Sequence, residues 1–181
     1  MRPPDEILTE RLRLRPVRRT DAEAIFRTYA GLPAPTRFMT FETHRDVADS
    51  LAFAQRCEDC WTSGAAFPWA VTDQASGRLM GVIELRLAPP KADFGYIFGE
   101  AFWGRGLAGE AARAVVDWAI DQPGIFRVWA TCHPDNAGSA GVLRKAGLSL
   151  EARLANWETR PQLGETAGPS DCYARIRPAG Q

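Results

Sequence analysis

Phe102-Trp103-Gly104-Arg105-Gly106-Leu107-Ala108-Gly109-Glu110-Ala111-Ala112 is the stretch on which the fold turns. It stands between a strand-like run, Asp93 to Phe98, and the strongest helical pattern in the chain, Gly106 to about Asp121. In that helix Leu107, Ala108, Ala111, Ala112, Val115, Val116, Ala119 and Ile120 recur at three-and-four spacing, so one face is apolar. Glycines at such a junction let the backbone approach a phosphate closely. The unpaired amides of the first helical turn, with the helix dipole behind them, supply an anion site without any large net charge.

Upstream of this turn the pattern is β. Phe67 to Thr72 and Leu79 to Leu87 read as strands around a polar hairpin turn, Asp73 to Gly77, and Pro89-Pro90-Lys91 sets off the third strand at Asp93. Neighbouring strands without intervening helices predict an antiparallel meander. Earlier still, Leu12, Leu14 and Pro16 alternate with Arg11, Arg13 and Arg15 in a half-buried first strand, Glu10 to Val17. Thr20 and Glu23 predict a capping box for a helix to about Tyr29, which Gly31-Leu32-Pro33-Ala34-Pro35 breaks, and a second helix spans Arg45 to Trp61. Downstream, Pro123-Gly124 stops the long helix, Ile125 to Cys132 is a strand, and Asn136 caps a helix ended by Gly147. Two last strands, Leu148 to Trp157 and Asp171 to Arg177, flank a loop with Pro161, Gly164, Gly168 and Pro169 that is long enough for a lid or a substrate contact.

Gly104, Gly106 and Gly109 also spell G-x-G-x-x-G, which invites a dinucleotide reading. Two facts argue against it: the motif follows a meander instead of opening a parallel βαβ unit, and Val128-Trp129-Ala130-Thr131 holds no acid where the ribose partner belongs. A purely structural role, glycines for close helix packing, stays open at this point.

The element order, with Phe94-Gly95-Tyr96-Ile97-Phe98, the glycine turn, Asp135-Asn136-Ala137-Gly138-Ser139 and Val142-Leu143-Arg144-Lys145-Ala146-Gly147, resembles the GNAT superfamily of N-acetyltransferases, in its Rim-type branch that acetylates ribosomal-protein N-termini. The resemblance runs from Glu10 to Arg177. It implies an α+β fold, an α/β/α sandwich with a mixed, mostly antiparallel sheet of six to seven strands and about four helices, as one domain over residues 1–181. It also implies acetyl-coenzyme A as co-substrate and an amine as acceptor. In the family pattern Trp103 takes the place of a leading Arg or Gln, with Gly106 and Ala108 at its last two places. Trp103, Gly104, Arg105, Gly106, Leu107, Ala108, Gly109 and Glu110 would then surround the coenzyme pyrophosphate, with Ile97 and Phe98 along the pantetheine arm. Asn136 would contact that arm or a bound water, and Arg144, with Lys145, would reach the adenosine phosphate. Many members carry a proton-donating tyrosine seven residues after the Asn; here that position is Leu143, which leaves Ser139 as the hydroxyl to serve the departing sulfur, or else as a first-turn helix cap. A coenzyme-binding module without catalysis is the alternative that Leu143 leaves open, and family members are often homodimers.

Acyl transfer to an amine needs a neutral amine, a stabilised carbonyl oxygen and a proton for the thiolate. Freeing an α-amine of pKa about 7.8 at neutral pH costs about 1 kcal/mol, against about 4 to 5 for a lysine. Glu84, on the strand after the hairpin, and Glu100, before the glycine turn, are the carboxylates expected near the cleft, with His133 and Asp135 behind them. Phe38 and Phe41 are expected at an acceptor pocket, although most aromatics in such a chain are core.

Composition narrows the class further. The 181 residues carry 22 basic and 22 acidic side chains, so no broad electrostatic footprint for nucleic acid or anionic lipid is expected. No apolar run approaches the roughly 20 residues of a membrane span, and the charged residues from Arg2 to Arg15 predict no export, hence a cytoplasmic protein. Cys57 and Cys60 form a C-x-x-C with no second pair and only two histidines in the chain, so two cysteines on successive helical turns is the plainer reading and no metal is expected.

Overall fold

The computed structural model describes residues 1–177. Its strands are β1 (Ile7–Leu8), β2 (Leu12–Pro16), β3 (Phe67–Asp73), β4 (Leu79–Ala88), β5 (Lys91–Phe98), β6 (Arg127–Cys132), β7 (Ser149–Arg160) and β8 (Glu165–Ile176). They form one sheet in the order β1-β2-β3-β4-β5-β6-β8-β7. The β5–β6 pair alone is parallel, so the expected meander holds from β2 to β5, and one crossover through the long helix brings the chain back beside it.

Helices α1 (Ala22–Ile25, continued by a wide turn to Ala30) and α3 (Val47–Ser63) pack on one face of the sheet. There Val17, Ile25, Tyr29, Ala54, Cys57, Ala70, Leu79, Val82 and Ile97 form a buried cluster. On the other face α4 (Leu107–Ile120) and α5 (Ala137–Lys145) lie over a larger core with Leu14, Trp69, Ile83, Leu85, Phe94 and Val128. Ala111, Ala112 and Ala119 of α4 are fully buried, and such short side chains let a helix axis come close to a sheet. Fully burying each larger aliphatic chain contributes about 1.5 to 3 kcal/mol. The result is the α/β/α sandwich expected from the sequence.

Four local readings are corrected. Among the described residues the sheet has eight strands and the fold five helices: Ile7–Leu8 adds a short edge strand, and the Pro33 region starts helix α2 (Pro33–Thr36), because proline fits a first helical position where no N–H is needed. Asp21, at the position before α1, makes no side-chain bond to the helix amides and turns back instead, accepting the Arg18 N–H at 2.9 Å and the Arg15 guanidinium at 2.7 and 2.8 Å, while Glu23 pairs with Arg27 one turn on. The stretch read as a lid is strand: β7 and β8 run on to Arg160 and from Glu165, leaving only Pro161 to Gly164 outside the ladder. Irregular register between Leu154 and Arg160 accommodates the glycine and proline opposite, at Gly168 and Pro169. Gln162 at the hairpin tip donates to the Phe41 carbonyl at 2.8 Å, tying it to the loop before α3.

Candidate active site

β5 and β6 are paired only over Lys91–Asp93 and Arg127–Trp129. Beyond that point they part, and among the described residues Phe94 to Phe98 has no strand neighbour on its β6 side. A cavity of about 860 Å³ occupies the gap and continues over the glycine turn. The splay carries it from the α4/α5 face of the sheet to the α1/α2 face.

On the first face the glycine turn forms one wall. Gly106 is the residue before α4 and has φ of +78°, a left-handed conformation that favours glycine, and no side chain caps the helix. Gly104, Gly106, Leu107, Ala108 and Gly109 line the cavity, so the uncapped first-turn amides border it. Gly109 answers the packing alternative: a β-carbon there would meet Cβ of Lys145 at 3.2 Å, so this glycine lets α5 approach, whereas Gly104 and Gly106 serve the turn itself. The Trp103 indole lines the cavity too and donates to the Phe98 carbonyl at 2.9 Å, pinning the turn to the end of β5.

Arg105 and Glu110 do not line the cavity. The Arg105 carbonyl accepts from Arg11 at 3.1 Å, and Glu110 accepts from Thr9 at 2.6 Å and from Arg11 at 2.9 and 2.7 Å. Burial pushes the Glu110 carboxyl up, but these donors outweigh it and hold the group below its usual 4.5. Its work is to brace the turn from behind. Arg144 also lies outside, 3.4 Å from the Tyr173 hydroxyl, and Lys145 is the basic residue of α5 that borders the cavity.

Ile97, Phe98, Asn136 and Ser139 all line the cavity. Asn136 caps α5 as the sequence predicts, its Oδ1 accepting the Ser139 N–H at 3.0 Å, so the cap is the asparagine and the serine hydroxyl is free for other partners. That hydroxyl lies 2.6 Å from the Tyr96 hydroxyl. Cys132 stands beside them on β6, where burial pushes its thiol up to about 11, so it is neutral at physiological pH and a poor nucleophile.

The second face holds the polar end. Glu158 accepts from Thr131 at 2.7 Å on one oxygen, and from Arg160 at 2.6 Å and Ser170 at 2.7 Å on the other. Arg160 is almost fully buried, and its Nε has no partner. His133 stacks on Phe38 at 5.2 Å between ring centres. Its Nδ1 accepts the Asp135 N–H at 3.1 Å, which leaves Nε2 to donate to Glu165 at 3.2 Å, so neither nitrogen is free to act as a base. Glu84 and Glu100, the carboxylates expected from the sequence, are not in the lining: Glu84 pairs with Arg86, which is, and Glu100 is exposed on the turn before Trp103. Glu158 and Tyr96 are the residues that sequence reasoning missed as site groups. The spacing of Glu158 and Arg160, two apart at a strand end, was the available signal for one shared face.

An acetyltransferase (GNAT) domain profile matches residues 11–149. The chain belongs to the GNAT acetyltransferase family. Among curated relatives, the uncharacterized N-acetyltransferase p20 of Bacillus licheniformis is 24% identical over 157 residues, covering 85% of this chain and 88% of its own. Among solved structures, the microcin C7 self-immunity acetyltransferase MccE, in complex with acetyl-CoA and AMP, superposes with a TM-score of 0.84 at 19% identity, covering 97% of this chain and 98% of its own. The ribosomal alpha-N-protein acetyltransferase RimL gives 0.81 at 20%, covering 94% and 93%. These structural likenesses concern the GNAT fold, which the family assignment equips with its chemistry: an acetyl-coenzyme A-dependent N-acetyltransferase. Among the described residues no helix is long and apolar enough to cross a membrane.

Proposed function

We propose that this GNAT protein transfers acetyl directly from acetyl-coenzyme A to a primary amine, with Ser139 and Glu158 serving opposite ends of one cleft. The observation that carries the reading is that a hydroxyl and a carboxylate, from α5 and β7, line the same cavity on opposite faces of the sheet where β5 and β6 part. Acetyl-coenzyme A fits the donor side. The uncapped amides from Gly106 to Gly109 would receive its pyrophosphate, Lys145 an outer phosphate, and the free edge of β5 at Ile97 and Phe98 its pantetheine amides. When bound it supplies an activated acyl group as a thioester.

Glu158 is the proposed base. Three donors fix the direction of its carboxylate, and a positioned carboxylate is a group that can take a proton from an amine. Ser139 is the proposed donor to the leaving sulfur, and the neutral Cys132 argues for direct transfer over an acyl-enzyme. An α-amine suits this site at lower cost than a lysine, by the roughly 3 to 4 kcal/mol that separates their deprotonation at neutral pH. The acceptor is therefore a peptide N-terminus, as the name of RimL describes for that protein, or a small amine of similar basicity. A cytoplasmic location fits both.

The test is acetyl transfer by the full chain to a panel of peptide N-termini and small amines, beside calorimetric titration with acetyl-coenzyme A. Glu158→Gln is expected to lower kcat by about 100-fold or more while leaving coenzyme affinity unchanged. Coenzyme binding without turnover of any amine would overturn the catalytic reading, and an undiminished kcat in Glu158→Gln would remove the base.

A further inference from the structure

We propose that Tyr96 is the positioning residue for the leaving-group hydroxyl, setting the direction in which Ser139 points its proton; this rests on the reading of Ser139 just given. Position 143, from which a helix would bring a phenol to the sulfur, is filled by Leu143, which is fully buried in the core. A phenol nevertheless lies at the site, and it comes from the sheet. Tyr96 sits on β5 with its ring stacked on Phe94 at 6.1 Å, and both Tyr96 and Ser139 line the cavity.

The tyrosine oxygen is 2.6 Å from Ser139 Oγ and 3.2 Å from the Ser139 carbonyl. A phenol has one proton, so it donates to one of these at a time. When it donates to the carbonyl, the serine hydroxyl turns back and donates to the tyrosine oxygen. When it donates to Oγ instead, the short contact is already filled, and the serine proton turns elsewhere, to the neighbouring Cys132 sulfur or into the cleft. An ionised acceptor there favours the second arrangement, because hydrogen bonds to charged groups are roughly twice as strong as neutral ones.

In the transfer step the amine nitrogen bonds to the acyl carbon, and the bond between that carbon and sulfur breaks with its electron pair staying on sulfur. Ser139 gives its proton to that sulfur and takes one back from water at the cleft mouth. The amine gives one proton to Glu158, which passes it to water and replaces the one that Ser139 drew, so proton gain and loss balance. Tyr96 keeps its own proton throughout and holds Oγ as a hydrogen-bond acceptor. Burial, which holds the Tyr96 phenol well above its usual range, agrees with a donor that does not ionise.

A double-mutant cycle on the full-length enzyme tests this, with kcat from acetyl transfer and coenzyme affinity from calorimetry. Tyr96→Phe is expected to lower kcat by about 10-fold or more with affinity for coenzyme A within about twofold of wild type, and to cost almost nothing further when Ser139 is already Ala. A tyrosine that only packs would instead weaken coenzyme affinity and add its loss in full to that of Ser139→Ala. Wild-type kcat in Tyr96→Phe alongside an impaired Ser139→Ala overturns the positioning role alone. Wild-type kcat in Ser139→Ala overturns the serine reading and the inference together.

Discussion

Arg11 holds Glu110 from two sides, giving it a backbone N–H at 2.9 Å and a guanidinium N–H at 2.7 Å, although the two residues are 99 positions apart. The same guanidinium reaches the Arg105 carbonyl at 3.1 Å. The connection between the first two strands thus fixes the rear of the glycine turn while its front borders the cavity.

Removing this brace should loosen the proposed coenzyme site without touching it. Arg11→Ala is expected to weaken acetyl-coenzyme A binding by about fivefold, the equivalent of roughly 1 kcal/mol of hydrogen bonding, with kcat at saturation nearly unchanged. Isothermal titration beside steady-state kinetics checks it. An unchanged Kd would show that the turn holds its shape unaided.

Glu110 makes a second expectation in pH. Its carboxyl is held below the ordinary 4.5 in the folded chain, so it stabilises the fold above that value and the contribution is lost as pH falls through the lower folded value. Glu110→Gln should therefore melt below wild type near neutral pH, with the gap narrowing as pH falls below 4.5. Thermal melts of both proteins across that range measure it, and a gap that widens in acid would contradict it.

Cys132 lines the donor side of the cleft with a thiol near 11, so it should be a bystander. Cys132→Ala is expected to keep kcat within about threefold, and thiol-reagent labelling of Cys132 in the native protein should rise about tenfold per pH unit between pH 7 and 10. An acetylated Cys132 trapped by mass spectrometry would argue for an acyl-enzyme.

Gly106 tests the turn directly. Its positive φ makes any side chain costly by about 1 to 2 kcal/mol, and in Gly106→Glu a negative charge adds repulsion at an anion site. We expect that variant to lose acetyl-coenzyme A binding by calorimetry, with Gly106→Ala intermediate. Tight binding by Gly106→Glu would move the phosphate site elsewhere.

Much of this architecture is legible in the chain because its signals are local. The apolar stripe of α4, the Asn136 cap and the polar hairpin at Asp73 each lie within a few residues, and each stands where the periodicity and caps place it. The polar half of the cleft is not local. Glu158 reaches it through a long irregular hairpin whose prolines and glycines look like a loop in sequence, and Thr131 meets it from 27 positions away. Glu84 illustrates the opposite failure: strand alternation correctly separates it from Ile83 and Leu85, but only the splay of β5 from β6 decides which part of that face opens into the cavity. The Tyr96 hydroxyl belongs to the same class, since its meeting with Ser139 spans 43 positions.

The short parallel pairing of β5 with β6 divides the molecule's inheritance in two. Its proposed donor half is made from main chain, an open strand edge and a helix start, which survive replacement of most side chains and so accommodate the low identity to MccE and RimL within one fold. Its polar half hangs on side chains of a terminal hairpin and of the loop that Gln162 tethers. On the proposed division, a lineage can exchange its acceptors by rewriting that hairpin, leaving the part assigned to the acetyl donor as it was.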